Sequence, residues 1–81
     1  MRVVDEIPHS KFKITIFSWN EKFIVKVEID RYEQVYKMEM DAVSGLAQVK
    51  AMIDANFLKR CMERFVAMRE DWTTNLSLIH I

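Results

Sequence analysis

The stretch that decides the fold is KITIFSWNEKFIVKVEI, residues 13–29. Apolar and polar side chains alternate on either side of the dipeptide Asn20-Glu21, which is the pattern of a half-buried β-hairpin with a two-residue turn. This turn pairs apolar side chains with one another on both faces, and a slip of one residue would destroy the match. The predicted pairs are Trp19 with Lys22, Phe17 with Ile24, Ile16 with Val25, Ile14 with Val27, and Lys13 with Glu28.

A third strand is predicted over residues 34–40, after the polar connection formed by residues 30–33. Placing Asp30 opposite Glu33 keeps one face of all three strands apolar, which predicts an antiparallel meander with a single core face. The predicted pairs are Val27 with Tyr36, Val25 with Met38, Phe23 with Met40, and Lys26 with Lys37.

The two ends of the chain carry weaker patterns. Residues 2–4, ahead of the only proline, Pro8, are either an edge strand or a tail. Residues 76–81, which are mostly apolar and include two isoleucines, favour a short strand that adds to an edge of this sheet or of a partner's. The fold predicted for residues 1–81 is a single α+β domain, a three- or four-stranded antiparallel β-meander with one or two C-terminal helices packed on one face.

Helical spacing occupies residues 46–72, in two apolar stripes whose centres differ by about 150° at 100° per residue. A straight helix would present those stripes in nearly opposite directions. We therefore expect a break or kink around Asp54, Ala55 and Asn56. The alternative is one unbroken helix that packs on the sheet at one end and on a second chain at the other.

The apolar arc of the second helical segment is broad. It covers about 180°, whereas packing on one sheet needs about a third of the circumference. A chain of 81 residues also buries a marginal core by itself. These features predict a small interaction or structural protein that forms a homodimer through its C-terminal helix, a sheet edge, or both. The predicted interface residues are Leu58, Met62, Phe65 and Val66.

The outer face of the predicted sheet suggests the alternative function. Lysines stand among aromatic side chains there, and such a surface can stack the bases of single-stranded nucleic acid while neutralising its phosphates. Glu28 and Glu39 supply counter-charge nearby, and an exposed apolar patch more often marks a protein contact, so this hypothesis ranks second. The candidate residues are Lys13, Phe17, Trp19, Lys26 and Lys37.

Composition argues against several classes of protein. The chain holds 12 basic and 12 acidic residues, and a net charge of zero disfavours a protein that coats nucleic acid or anionic lipid. A single cysteine, Cys61, excludes an internal disulfide and indicates a cytoplasmic protein. Its place on the apolar arc predicts a buried thiol. No apolar run approaches the roughly 20 residues of a membrane span, so no membrane partner is expected.

The sequence contains no motif for catalysis, for a metal or for a cofactor. His9 and Ser10, with Asp5 nearby, are residue types of a catalytic triad, but a triad is defined by arrangement. Two histidines and one cysteine cannot assemble a common zinc site, and one glycine, Gly45, leaves no phosphate-binding loop. We therefore expect a non-enzymatic protein without a cofactor or an identifiable small-molecule substrate.

Three segments carry a resemblance to small uncharacterised bacterial proteins: ITIFSWNEKFIVK at residues 14–26, YEQVYK at residues 32–37 and FLKR at residues 57–60. This resemblance implies neither a catalytic motif nor a function. The order of meander and helix is also similar to the repeats of PUR and whirly single-stranded nucleic-acid binders. Those repeats place four strands before the helix, whereas three are clear in this sequence, and a shared fold does not establish a shared function.

Overall fold

The computed structural model describes residues 1–79, with side chains over residues 1–75. One antiparallel sheet is followed by a short 3-10 turn at Met40–Ala42 and by two helices. This confirms the predicted α+β meander, with four strands of the three or four predicted and two helices of the one or two predicted. The elements are β1 (Arg2–Ile7), β2 (Lys13–Trp19), β3 (Lys22–Ile29), β4 (Tyr32–Glu39), α1 (Leu46–Met52) and α2 (Ala55–Ile79), with the strands in the order β1-β2-β3-β4.

The β2–β3 hairpin has the predicted register at every predicted pair, from Trp19 opposite Lys22 to Lys13 opposite Glu28. Its turn residues have left-handed backbone angles, with φ of 52° at Asn20 and 60° at Glu21. Two successive positive φ angles characterise the type I′ turn, whose twist matches that of the flanking strands. The hairpin therefore closes without a glycine because asparagine tolerates this conformation and tertiary pairing holds the glutamate.

The predicted register of β3 and β4 is wrong by two residues. Val25 faces Tyr36, and Lys26 faces Val35 instead of Lys37. The connection is a two-residue turn at Asp30-Arg31, with φ of 53° at Asp30, instead of a four-residue polar loop. A shift of two residues preserves which side chains face the core, so the apolar pattern alone did not detect the error.

The N-terminal segment is an edge strand, and it is longer than the predicted residues 2–4. β1 pairs with β2 over Arg2–Ile7, and a bulge between Val3 and Asp5 shifts the register. The bulge turns Asp5 toward the helical side, where its carboxylate lies 2.7 Å from the Lys50 ammonium on α1. This ion pair ties α1 to the far edge of the sheet.

The helical region is broken, as the two stripes predicted. α1 ends at Met52, and Ile53 has a non-helical backbone. α2 begins at Ala55, and its first turn is capped by Asp54, whose Oδ1 accepts a hydrogen bond of 2.8 Å from the Phe57 N–H. Over residues 1–79, neither helix combines the length and the hydropathy that a membrane span requires.

The strand predicted for residues 76–81 is wrong as far as the structure describes them. α2 continues through Ile79, and the last two residues lie outside the described range. The sequence offers no proline or glycine after Gly45 to end the helix, and each further residue adds one backbone hydrogen bond at little cost.

The core lies between the inner sheet face and the two helices. Phe12 and Phe65 stack with ring centroids 5.9 Å apart, and Val49 of α1 is fully buried beside them. The buried apolar side chains of this cluster are Phe12, Ile14, Ile16, Val25, Val27, Val49, Cys61 and Phe65. The outer face of the sheet carries no helix among the described residues.

Candidate functional site

α2 is attached to β4 by a compact polar network. The Gln34 side-chain amide donates to the Cys61 carbonyl at 2.9 Å, and its oxygen accepts from the Tyr36 hydroxyl at 2.6 Å. Arg64 donates from Nε to the same oxygen and from Nη2 to the Tyr36 hydroxyl, both at 2.9 Å. The helix is thus fixed to one strand by hydrogen bonds as well as by apolar contact.

Cys61 lies inside this joint. Its side chain is fully buried, which confirms the predicted buried thiol, and its Sγ is 3.8 Å from the Tyr36 hydroxyl. Burial raises the pKa of Tyr36, and the contact with Cys61 raises it further, while Arg64 acts in the opposite direction. These hydrogen bonds and the buried thiol together form a joint between α2 and β4.

Beyond Met68, the described side chains of α2 have no core beneath them. We call residues 69–79 the arm; it extends about 16 Å at 1.5 Å per residue. Met68 is the last α2 residue packed on the core, and the described arm side chains, residues 69–75, are all exposed. The molecule accordingly measures 51 Å along its longest axis and only 26 Å across.

Phe65 and Trp72 show the change of environment most clearly. They are seven residues apart, so they lie on the same face of α2 two turns from each other. Phe65 is 3% exposed, whereas Trp72 is 57% exposed. The apolar stripe that holds α2 on the sheet therefore continues past the end of the sheet.

The predicted dimer-interface residues occupy three environments. Phe65 is buried in the core of its own chain. Leu58 and Met62 are half-buried and pack against that core, beside the loop of residues 9–12. Val66 is exposed. Fewer of these side chains are therefore available to a partner than predicted, and exposed Trp72, farther along α2, adds to the available surface.

A second uncovered feature is the free edge of β4. The Met40 N–H donates to the Glu21 carbonyl at 3.0 Å, which identifies their pair as a hydrogen-bonded one. Because such pairs recur every two residues, Tyr36 and its even-numbered neighbours bond to β3. The backbone groups that point outward belong to Glu33, Val35, Lys37 and Glu39.

The outer sheet face gathers the residues of the nucleic-acid hypothesis. Lys13, Phe17 and Trp19 follow one another on β2, and Lys26 and Lys37 lie on the neighbouring strands. The Lys26 ammonium lies 3.6 Å from Glu28 and 3.5 Å from Glu33. It is therefore already neutralised, and the expected like-charge pair with Lys37 is absent because Lys26 faces Val35.

The outer face is closed at its centre and apolar at three places around it. Ile24, which lies between Phe17 and Lys37 in the register, is buried. Trp19 is 51% exposed at the hairpin end, and Lys22 beside it is paired with Glu39 at 3.6 Å. Val3 and Val35, on the two edge strands, are also exposed.

Within the described residues, the larger clefts, of about 400 to 460 Å³, are open grooves on the surface. The most enclosed is an apolar cleft of about 120 Å³ between α1, α2 and the sheet, lined by Val25, Tyr36, Met38, Val49, Met52, Ile53 and Phe57. No three histidine, cysteine or acidic residues of the described chain come together to hold a metal ion. The His9 Nδ1 accepts the backbone N–H groups of Lys11 and Phe12, which makes it part of a turn.

Sequence reasoning missed the Gln34–Arg64 network and the β4 edge. The network joins residues 30 positions apart, and no spacing rule connects them. The β4 edge could have been found from the order of its outer-face side chains, which are negative, apolar, positive and negative along the strand.

No protein-family model matches the chain, and comparisons with curated proteins and with solved structures also give no match. The resemblances to small bacterial proteins and to PUR and whirly repeats therefore remain predictions. The function has to be argued from the surfaces of the molecule itself.

Proposed function

We propose that the chain is a non-enzymatic, cytoplasmic interaction protein that works as a homodimer. The observation that carries this proposal is the continuation of the α2 apolar stripe off the sheet, from buried Phe65 to exposed Trp72. Large aromatic side chains of this kind supply most of the free energy of binding in protein interfaces. A second copy is the occupant that this exposed surface favours, because a small chain gains core volume by self-association.

The chemistry of the described residues supports a role without catalysis. The titratable groups that contact one another form ion pairs on the surface or the joint between α2 and β4. His9, which lines two of the surface clefts, takes part in a turn through its Nδ1. The cytoplasmic part of the proposal is supported by the single, buried cysteine, which suits a reducing compartment.

Sedimentation equilibrium tests the homodimer. Across about 1 to 300 µM, we expect the weight-average mass to rise from that of one chain to that of two. Trp72→Ala should raise the dimer dissociation constant about tenfold or more, as truncation of an interface tryptophan commonly does. Trp19→Ala is the matched control, since it removes an equally exposed tryptophan from the other end of the molecule, and it should leave the constant unchanged.

Two outcomes contradict the proposal. A wild-type chain that stays monomeric throughout this range does not use the arm to self-associate. A dimer that Trp19→Ala weakens and Trp72→Ala leaves intact is built on the outer sheet face, not on α2.

The nucleic-acid alternative has its own test. In a Trp72→Phe variant, Trp19 is the only tryptophan and reports on the outer sheet face. Titration with single-stranded oligonucleotides at low salt should leave its fluorescence unchanged, because Lys22 beside Trp19 and Lys26 at the centre of the face are already paired with glutamates. Quenching that salt reverses would favour the nucleic-acid hypothesis instead.

A further inference from the structure

We propose that two copies of the chain join along their β4 edges in one register, with Val35 of each copy opposite Val35 of the other. This inference rests on the proposed homodimer and names the contact that builds it. The two four-stranded sheets would become one continuous antiparallel sheet across a two-fold axis.

The backbone restricts the pairing. The N–H and C=O groups that point outward from β4 belong to odd-numbered residues, and they require odd-numbered partners on a second antiparallel strand. In a symmetric antiparallel pair of identical strands, the sequence numbers of any two directly facing residues add up to the same sum. That sum must be even, so only a few registers along Tyr32–Glu39 provide a full set of hydrogen bonds.

The side chains select one of these registers. With a sum of 70, Val35 faces Val35, and Glu33 faces Lys37 on both sides of the axis. The sums of 66, 72 and 74 each place like charges opposite one another: Glu33 with itself, Glu33 with Glu39, and Lys37 with itself. A sum of 68 places Glu33 opposite Val35, and a sum of 76 pairs Lys37 with Glu39 without an apolar pair. Like charges directly opposite are destabilising, whereas opposite charges stabilise a cross-strand pair. Only the register centred on Val35 therefore matches an apolar pair with two ion pairs.

The exposure of these residues fits the proposed contact. Val35 is 48% exposed, in the middle of an edge strand that nothing in the described chain covers. Lys37 has no carboxylate within 4.0 Å among the described residues. The Glu33 side chain pairs with Lys26 at 3.5 Å and is still 50% exposed. An edge of this kind is a template for a further strand.

The joined sheet also places the arms. A two-fold axis perpendicular to the sheet keeps both α2 helices on one face. Because the strands are antiparallel, the Met38 end of the partner's β4 lies beside the Tyr32 end of β4 in the first copy. The arm of the first copy leaves the core near Tyr32. The partner's α1 follows that strand and carries an exposed methionine, Met52, on the same face. Edge pairing thus brings apolar surface to the side of the joined sheet from which the arm projects.

Disulfide trapping tests the register. In Val35→Cys, the two new thiols should lie on directly opposed residues, about 5.5 Å apart between Cα atoms, which a disulfide can bridge. Glu39→Cys is the matched control on the same edge and the same face, and its two thiols would be roughly 27 Å apart. Under mild oxidation, we expect Val35→Cys to form a covalent dimer at least about tenfold faster. The native Cys61 is buried and does not compete.

Charge reversal tests the ion pairs independently. Lys37→Glu places glutamates opposite each other twice and should raise the dimer dissociation constant about tenfold. The double variant Glu33→Lys/Lys37→Glu restores opposite charges and should return the constant to within about threefold of the wild type. Rescue of this kind would not follow from a loss of folding.

The outcomes separate the two proposals. A wild-type chain that is monomeric by sedimentation overturns both the homodimer and the edge contact. A dimer that forms no Val35→Cys disulfide, or one that the double variant fails to restore, leaves the homodimer standing and overturns the β4 register.

Discussion

The two halves of α2 share one apolar spacing but have different environments. In the half that precedes Arg69, the stripe packs on the core and Gln34 holds the backbone at Cys61. In the arm, the same face carries Trp72 in solvent. The comparison teaches that helical spacing defines which side of a helix is apolar, while the extent of the sheet determines how much of that side a single chain can bury.

The strongest test of this difference is Phe65→Ala. Removing a buried phenyl ring leaves a cavity between α2 and Phe12, and such truncations cost about 3–5 kcal/mol in the free energy of unfolding. Urea unfolding followed by far-UV circular dichroism measures the loss. A change below about 1 kcal/mol would show that this half of α2 is not anchored by its ring.

The polar joint should contribute less than the ring. Gln34→Ala removes the acceptor of Tyr36 and Arg64 and the donor to the Cys61 carbonyl, so we expect a loss of about 1–3 kcal/mol in the free energy of unfolding. Thr73→Ala, a polar truncation on the exposed arm, is the control and should change stability by less than about 0.5 kcal/mol. Equal effects of the two variants would contradict a joint confined to the first half of α2.

The arm should contribute little to the free energy of unfolding of one subunit. At concentrations below the dimer dissociation constant, Trp72→Ala should alter the free energy of unfolding by less than about 0.5 kcal/mol, because the ring has no core contact. The same urea titration as for Phe65→Ala measures this. A loss comparable with that of Phe65→Ala would mean that the arm folds back on its own sheet.

The smallest effect concerns α1, which an exposed ion pair connects to β1. The hydrogen bond from Lys50 lowers the pKa of Asp5 below its ordinary value of 3.8. The stabilisation is therefore complete above pH 3.8 and disappears as the pH falls through the lower pKa of the folded state. Asp5→Asn removes it, so the difference in unfolding free energy between wild type and variant should shrink below pH 3.8. A difference that stays constant down to pH 2 would rule this out.

Much of the sheet was predictable because its information is local. The hairpin places complementary side chains opposite one another across both faces, so a single register satisfies them all. The connection after Ile29 lacked that constraint: a two-residue and a four-residue turn keep the same face buried, and only the backbone at Asp30 distinguishes them. The break before α2 was predictable from the phases of the two stripes, which no straight helix can combine.

The site was less predictable than the fold. Wheel geometry assigned Phe65 to a partner, but the sheet beneath α2 buries it, because a wheel records angle and ignores where the sheet ends. The apolar segment of residues 76–81 favoured a strand, but the helix continues through Ile79 because no proline or glycine stops its propagation. The β4 edge depended on the corrected register, since the phase of its backbone follows from the turn at Asp30-Arg31.

The position of the single thiol allows the docking of α2 to be measured without an added probe. Cys61 is enclosed where α2 meets β4, so an alkylating reagent reaches Sγ only while the helix is lifted from the strand. The rate of labelling in native buffer therefore reports how often the docked half of α2 separates from β4. No dye, tag or added probe is required to observe how often the joint opens.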